Sequence, residues 1–135
     1  MAKRIPGVSK EWSNYLLCLL LHMSLPLLPL GFETLVRSDH LPSIQTLNIT
    51  AAFYAISIGL SSKNVAMFGL GIFVSICFSV VFGIVSSNPN SDPNLNFNDN
   101  LYFYSPIACI VAIFVIHACE RYNRHVADCT PFFEF

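Results

Sequence analysis

Charge is what this chain has least of. Only 11% of its 135 residues are Asp, Glu, Lys or Arg, where a soluble domain of ordinary composition carries about a quarter. That shortage excludes a conventional water-facing surface. The net charge of −1, with no basic stripe and no RNA-binding motif, excludes a nucleic-acid footprint. No glycine-rich phosphate loop, nucleophile–base pair or metal motif stands out, so the chain is not expected to be an enzyme or to carry a cofactor or metal. Cys18, Cys77 and Cys109 lie within apolar runs, Cys119 at the end of one and Cys129 beyond it. None falls in an external loop, so no structural disulfide is implied. No acid stands in the middle of an apolar run, which argues against the paired charges of an ion path.

What the sequence has is apolar length, with 54% hydrophobic residues arranged in four runs, about 12–32, 44–60, 65–85 and 101–119. A helix needs ~20 residues to cross ~30 Å of hydrocarbon. The runs are continuous and lack a two-residue alternation, which predicts helices and not barrel strands. The expected fold is all-α: one integral membrane bundle of four transmembrane helices over 1–135, with a tail over 120–135. The second run is the shortest and most polar, and its alternative is a helix lying at the membrane surface. Ser9 with Glu11 suits the start of the first helix. Ser105-Pro106 suits a cap and first-turn proline, predicting that the fourth helix begins properly at Pro106. Lys63 and Asn64 leave room only for a tight turn, so the second and third helices should form an antiparallel hairpin.

Lys and Arg near membrane ends prefer the cytoplasmic side. Starting inside places Lys3, Arg4, Lys10, Lys63, Arg121 and Arg124 in the cytoplasm and leaves only Arg37 outside. The reading is N-in and C-in, multi-pass, in the cell inner (cytoplasmic) membrane. Trp12 and Tyr15 at one face, and Tyr102 and Tyr104 at the other, fit interfacial aromatic belts. The longest external loop, with Pro89, Asp92, Pro93 and Asp99, carries no base. The first run has the basic start of an export signal, but Pro26 and Pro29 interrupt it and no small-residue cleavage site follows.

Helix contacts in lipid depend on small residues that let backbones approach. Gly71, Ser75, Ser79 and Gly83 recur every fourth residue on the third helix, and Ala51, Ala55 and Gly59 do so on the second. These stripes are expected to meet within the hairpin; facing a second copy instead, one of them gives a homo-oligomer. Ala108 and Ala112 form a shorter stripe on the fourth.

His22 is the one ionisable group deep in a run, and such groups are costly in lipid. Pro26 has no N–H for the carbonyl of His22, and Pro29 none for that of Leu25. His22, Pro26 and Pro29 therefore mark a kink, read either as a hinge or proton-responsive element or as a neutral histidine bonded to a neighbour. His117, Cys119, Glu120 and His125 look like metal ligands, but residues 117 and 119 point about 160–200° apart on a helix and cannot chelate together. His117 and Arg121 share a face, as do Arg121 and His125, which predicts a basic helix end reaching out to the interface. Asn48-Ile49-Thr50 matches a glycosylation signal but lies too near the membrane for ready use. Phe132, Phe133 and Phe135 close the tail as an aromatic cluster for the interface or a cytoplasmic partner protein.

In helix number, size and orientation the chain resembles the compact four-helix membrane subunits of bacterial anti-phage systems such as Kiwa. That resemblance implies antiviral defence and a cytoplasmic effector as partner, and it assigns no residue a role. The leading expectation is a non-enzymatic membrane anchor, sensor or effector. A small oligomeric channel or transporter, and an immunity or exclusion protein, are the alternatives.

Overall fold

The first span begins at Ser9, whose hydroxyl faces the Trp12 amide at 3.5 Å and starts α1 (Lys10–Leu17) with Glu11 in the first turn. In the computed structural model, which describes residues 7–37, 41–87 and 99–130, every element is helical, and no strand occurs among the described residues. After α1 the chain widens into a π-helical turn (Cys18–Ser24), tightens into a 3-10 turn (Leu25–Leu27) and resumes as α2 (Leu28–Val36). The prolines explain the change of pitch. Pro29 leaves the Leu25 carbonyl without its usual donor, and the 3-10 turn supplies the Leu28 N–H three residues on. The Ser24 hydroxyl donates to the Leu19 carbonyl at 2.9 Å within the widened turn.

Ser43 caps α3 (Ile44–Ser61), its hydroxyl accepting the Thr46 N–H at 3.1 Å. A turn through Lys63 and Asn64 leads directly into α4 (Val65–Ser87). The last long helix, α5 (Asp99–Tyr122), ends in a second π-helical turn, Asn123–Ala127. Four stretches are long and apolar enough to cross a membrane: Lys10–Val36, Ile44–Ser61, Val65–Ser87 and Asn100–Ala127. The protein is a small, all-α, multi-pass membrane protein.

Two boundaries differ from the sequence expectation. The fourth helix starts at Asp99 and carries Pro106 in its interior. Pro106 withholds an N–H from the Tyr102 carbonyl, and the Asn48 side-chain amide on α3 donates to that carbonyl at 3.3 Å. A polar group from a neighbouring helix thus lets α5 run through its proline. At the other end, the helix runs on past residue 119 through residues 120–127. The chain then turns back through Cys129, whose φ of 53° lies in the left-handed region. Thr130 bonds the Arg124 carbonyl through both its N–H, at 3.1 Å, and its hydroxyl, at 2.6 Å, closing the helix end.

The shortest and most polar run proves to be the centre of the bundle. Half of the α3 window is buried, against 6% for α4. Met23, Ala51, Tyr54, Ala55, Ile58, Ile110 and Ile113 form the core around it. A helix wrapped by protein meets little lipid, so it tolerates Gln45, Thr46, Asn48 and Thr50 where α4, facing lipid, does not. The same burial argues against the surface-lying alternative.

Candidate functional site: a buried His–Arg–Glu cluster

At the end of the bundle where α1 begins, α3 ends and α5 finishes, three long polar side chains of α5 converge on α3. His117 is fully buried and Arg121 is 8% exposed. Their four-residue spacing stacks them on one helix face, and that face turns into the bundle. The basic end predicted to reach outward instead reaches inward, because Ser61 and Ser62, on the adjoining end of α3, offer it polar partners.

Each donor and acceptor can be followed. Arg121 donates from Nε to His117 Nε2 at 3.0 Å and from Nη2 to the Ser61 carbonyl at 2.8 Å. The second imidazole nitrogen, His117 Nδ1, lies 3.0 Å from Glu120 Oε2. Because a guanidinium can only donate, Nε2 must carry the lone pair and Nδ1 the hydrogen. His117 is therefore a bridge that passes the field of Glu120 to Arg121. The Ser62 hydroxyl closes the carboxylate, standing 2.9 Å from both Glu120 oxygens. Glu120, His117 and Ser61 also stand in the order of an acid, imidazole and hydroxyl. Ser61 Oγ, however, is 3.5 Å from Nε2 and donates to the Ile58 carbonyl at 2.8 Å. The imidazole lone pair is held by Arg121, and the hydroxyl proton by a carbonyl.

His22 brings the first span to this cluster. It lies on the π-helical turn, half-buried, with its ring centroid 6.1 Å from that of His117 at an interplanar angle of 42°. Its Nε2 is buried and has no hydrogen-bond partner among the described residues. Pro26, on the 3-10 turn, and Pro29, one residue into α2, follow it. Beside this cluster Trp12, Tyr15 and Tyr122 pack edge to face, with centroids 5.8–6.0 Å apart, joining the first span to α5. An open apolar groove of about 330 Å³ runs past Tyr15, Phe114, Ala118 and Tyr122.

The small-residue stripes are divided by the structure. Ala51, Ala55 and Gly59 are all buried on α3. A Cβ built on Gly71 would stand 2.9 Å from the Gly59 Cα and 2.5 Å from the Ala55 carbonyl oxygen. Further along α4, Ser75 is half-buried, while Ser79 and Gly83 are exposed and nothing lies within 4 Å of a Cβ built on Gly83. The stripe meets α3 near the hairpin, at Gly71, and its far end, Ser79 and Gly83, lies off the contact face. Ala108 and Ala112 are exposed as well.

Phe132, Phe133 and Phe135 lie outside the described residues, as do Lys3, Arg4, Pro89, Asp92 and Pro93. Among the described residues, no group of three His, Cys, Asp or Glu side chains is placed to hold a metal ion. Ser61 and Ser62 escaped the sequence reading, in which Glu120 figures only as a would-be metal ligand and not as the partner of His117. Only the four-residue spacing of His117 and Arg121 signalled the cluster, and it did not say which way the face turned. Compared with family models, curated proteins and solved structures, the chain matches none.

Proposed function

We propose that the protein is a membrane anchor and sensor that acts on a cytoplasmic partner, with both termini on the cytoplasmic side of the inner membrane. The observation that supports it best is the His117–Arg121–Glu120 cluster. It links α3 and α5 by hydrogen bonds, meets the irregular first span at His22, and sits where the chain leaves the bundle towards the tail. A change in the first span is thereby coupled to the segment best placed to reach a partner. Lys10, Lys63, Arg121 and Arg124 belong to this same end and Arg37 to the other, which is the distribution expected of a cytoplasmic end. The likeness to anti-phage membrane subunits makes defence against phage the natural setting, with the partner as effector. The test is affinity isolation from the native membrane with and without residues 131–135. Stoichiometric capture of a cytoplasmic protein that disappears on truncation supports the reading, and equal capture removes the tail from it.

A second reading, a small oligomeric channel or transporter, is favoured by one observation. Three buried polar atoms, His22 Nε2, Asn48 Oδ1 and the Tyr54 hydroxyl, have no hydrogen-bond partner within the bundle. Unpaired polar groups in such a place are where water or a permeant would be accommodated. Self-association would use the exposed Ser79–Gly83 end of α4. Proton or ion flux in liposomes that is lost in His22→Ala supports this alternative, and no flux at any pH counts against it. An immunity or exclusion role shares the architecture and differs in its partner, an incoming toxin or phage component.

A further inference from the structure

We infer that the contact between the first and fourth spans is a proton-operated joint, in which uptake of a proton by His22 separates the first span from α5. The inference rests on the sensor reading for its biological use, and it names the signal. Its physical basis lies in how differently the two facing imidazoles are held.

Both nitrogens of His117 are engaged, Nε2 by the Arg121 N–H at 3.0 Å and Nδ1 by Glu120 at 3.0 Å. A proton arriving at Nε2 would have to displace the guanidinium. His22 has no such commitment: its buried Nε2 has no partner among the described residues. A protonated His22 becomes a second cation on the side of the cluster already occupied by Arg121. The carboxylate that would balance it, Glu120, lies beyond His117 and is bound by Ser62. The neighbouring polar groups offer no negative charge: Ser61, at the end of α3, stands by His117 and bonds a carbonyl, and Cys18, on the same π-helical turn as His22, is buried. Like charges in a medium of low dielectric repel far more strongly than in water.

The first span is the element able to yield. Around His22 the bonding pattern of its backbone changes from π-helical to 3-10 over Cys18–Leu27, the kind of irregularity at which helices bend. α5 is tied to α3 by the Arg121–Ser61 bond and the Ser62–Glu120 bond, whereas the first span meets α5 through ring and apolar contacts, at His22, at Trp12 and Tyr15, and at Met23. Outward movement of the first span relieves the repulsion and hydrates the imidazolium.

The protein carries its own reporter. Trp12 is the only tryptophan in the chain, and it packs on Tyr122 of α5 at a centroid distance of 6.0 Å. The experiment is a titration of Trp12 fluorescence, by emission maximum and acrylamide quenching. The full chain is placed in phosphatidylcholine nanodiscs and taken from about pH 8 to about pH 5. The expected result is a reversible one-proton transition within that range, with a red shift and greater quenching. It should be lost in His22→Gln and in His22→Phe, which keeps the ring shape, and retained in His125→Gln. Circular dichroism checks that each variant is folded. No transition in the wild type, or an unchanged one in both His22 variants, overturns the inference. Partner capture by His22→Gln at neutral pH reads the anchoring role separately, so the failure of either idea is distinguishable from failure of the other.

Discussion

Gly71 on α4 and Gly59 on α3 meet backbone against backbone: a Cβ built on Gly59 would lie 3.1 Å from the Gly71 Cα. The reverse substitution is tighter still, 2.5 Å from the Ala55 carbonyl oxygen, and both obstacles are backbone that cannot swing aside. Gly71→Ala is therefore expected to force α3 and α4 apart at the hairpin, destabilising the bundle by about 1–3 kcal/mol. Gly83→Ala, on the same helix with open space around it, should be neutral or stabilising by up to about 1 kcal/mol. Unfolding in mild detergent compares the two. Equal effects would mean that α4 does not sit on α3 at Gly71.

Arg121 and His117 depend on one another, so their losses should not add. Arg121→Met leaves His117 Nε2 and the Ser61 carbonyl without this donor, at about 1–3 kcal/mol for each group left unsatisfied. His117→Leu in turn takes one partner from Arg121, which keeps the Ser61 carbonyl, and one from Glu120, which keeps Ser62. Once either is removed, the other has less to lose, and the double variant is expected to fall short of the sum by about 0.5–3 kcal/mol. Strict additivity in a double-mutant cycle would place the two side chains apart.

Asn48 sits in a sequence that reads as a glycosylation signal, yet its side chain is fully buried. Its amide donates to the Ile44 carbonyl at 2.7 Å and to the Tyr102 carbonyl at 3.3 Å. No glycan should be added when the chain is made in a glycosylating host, as intact mass will show. Asn48→Ala is expected to cost about 1–3 kcal/mol, because the Tyr102 carbonyl loses the donor that offsets Pro106.

Much of the fold could be read in the residues. Runs of about 20 apolar side chains leave a polar backbone no option in lipid but to bond within itself, which means helices. Lys63 and Asn64 leave too little chain for anything but a tight hairpin. Pro26 and Pro29 announced a break in the first span, since an absent N–H is a local fact. Pro106 misled for the same reason: locally it reads as a helix start, and only the Asn48 amide arriving from α3 lets the helix continue through it.

The site was legible as single residues and not as an assembly. His22 stood out as an ionisable group deep in an apolar run, and the shared face of His117 and Arg121 followed from helical spacing. Spacing fixes which side chains lie together on a helix, not whether they turn to lipid, interface or protein. That direction depends on Ser61 and Ser62, about 60 residues earlier in the chain.

The sequence by itself determined that the chain is four apolar helices with an interrupted first span and a tight turn between the second and third, because covalent spacing and missing donors act within one element. Tertiary structure alone decided that the most polar span lies at the centre, that α4 touches α3 at Gly71 and not at Gly83, and that the basic end of α5 faces inward. Those outcomes are choices among surfaces of comparable apolarity. They are made by close backbone contact and by which polar groups find partners, and both depend on residues distant in the chain.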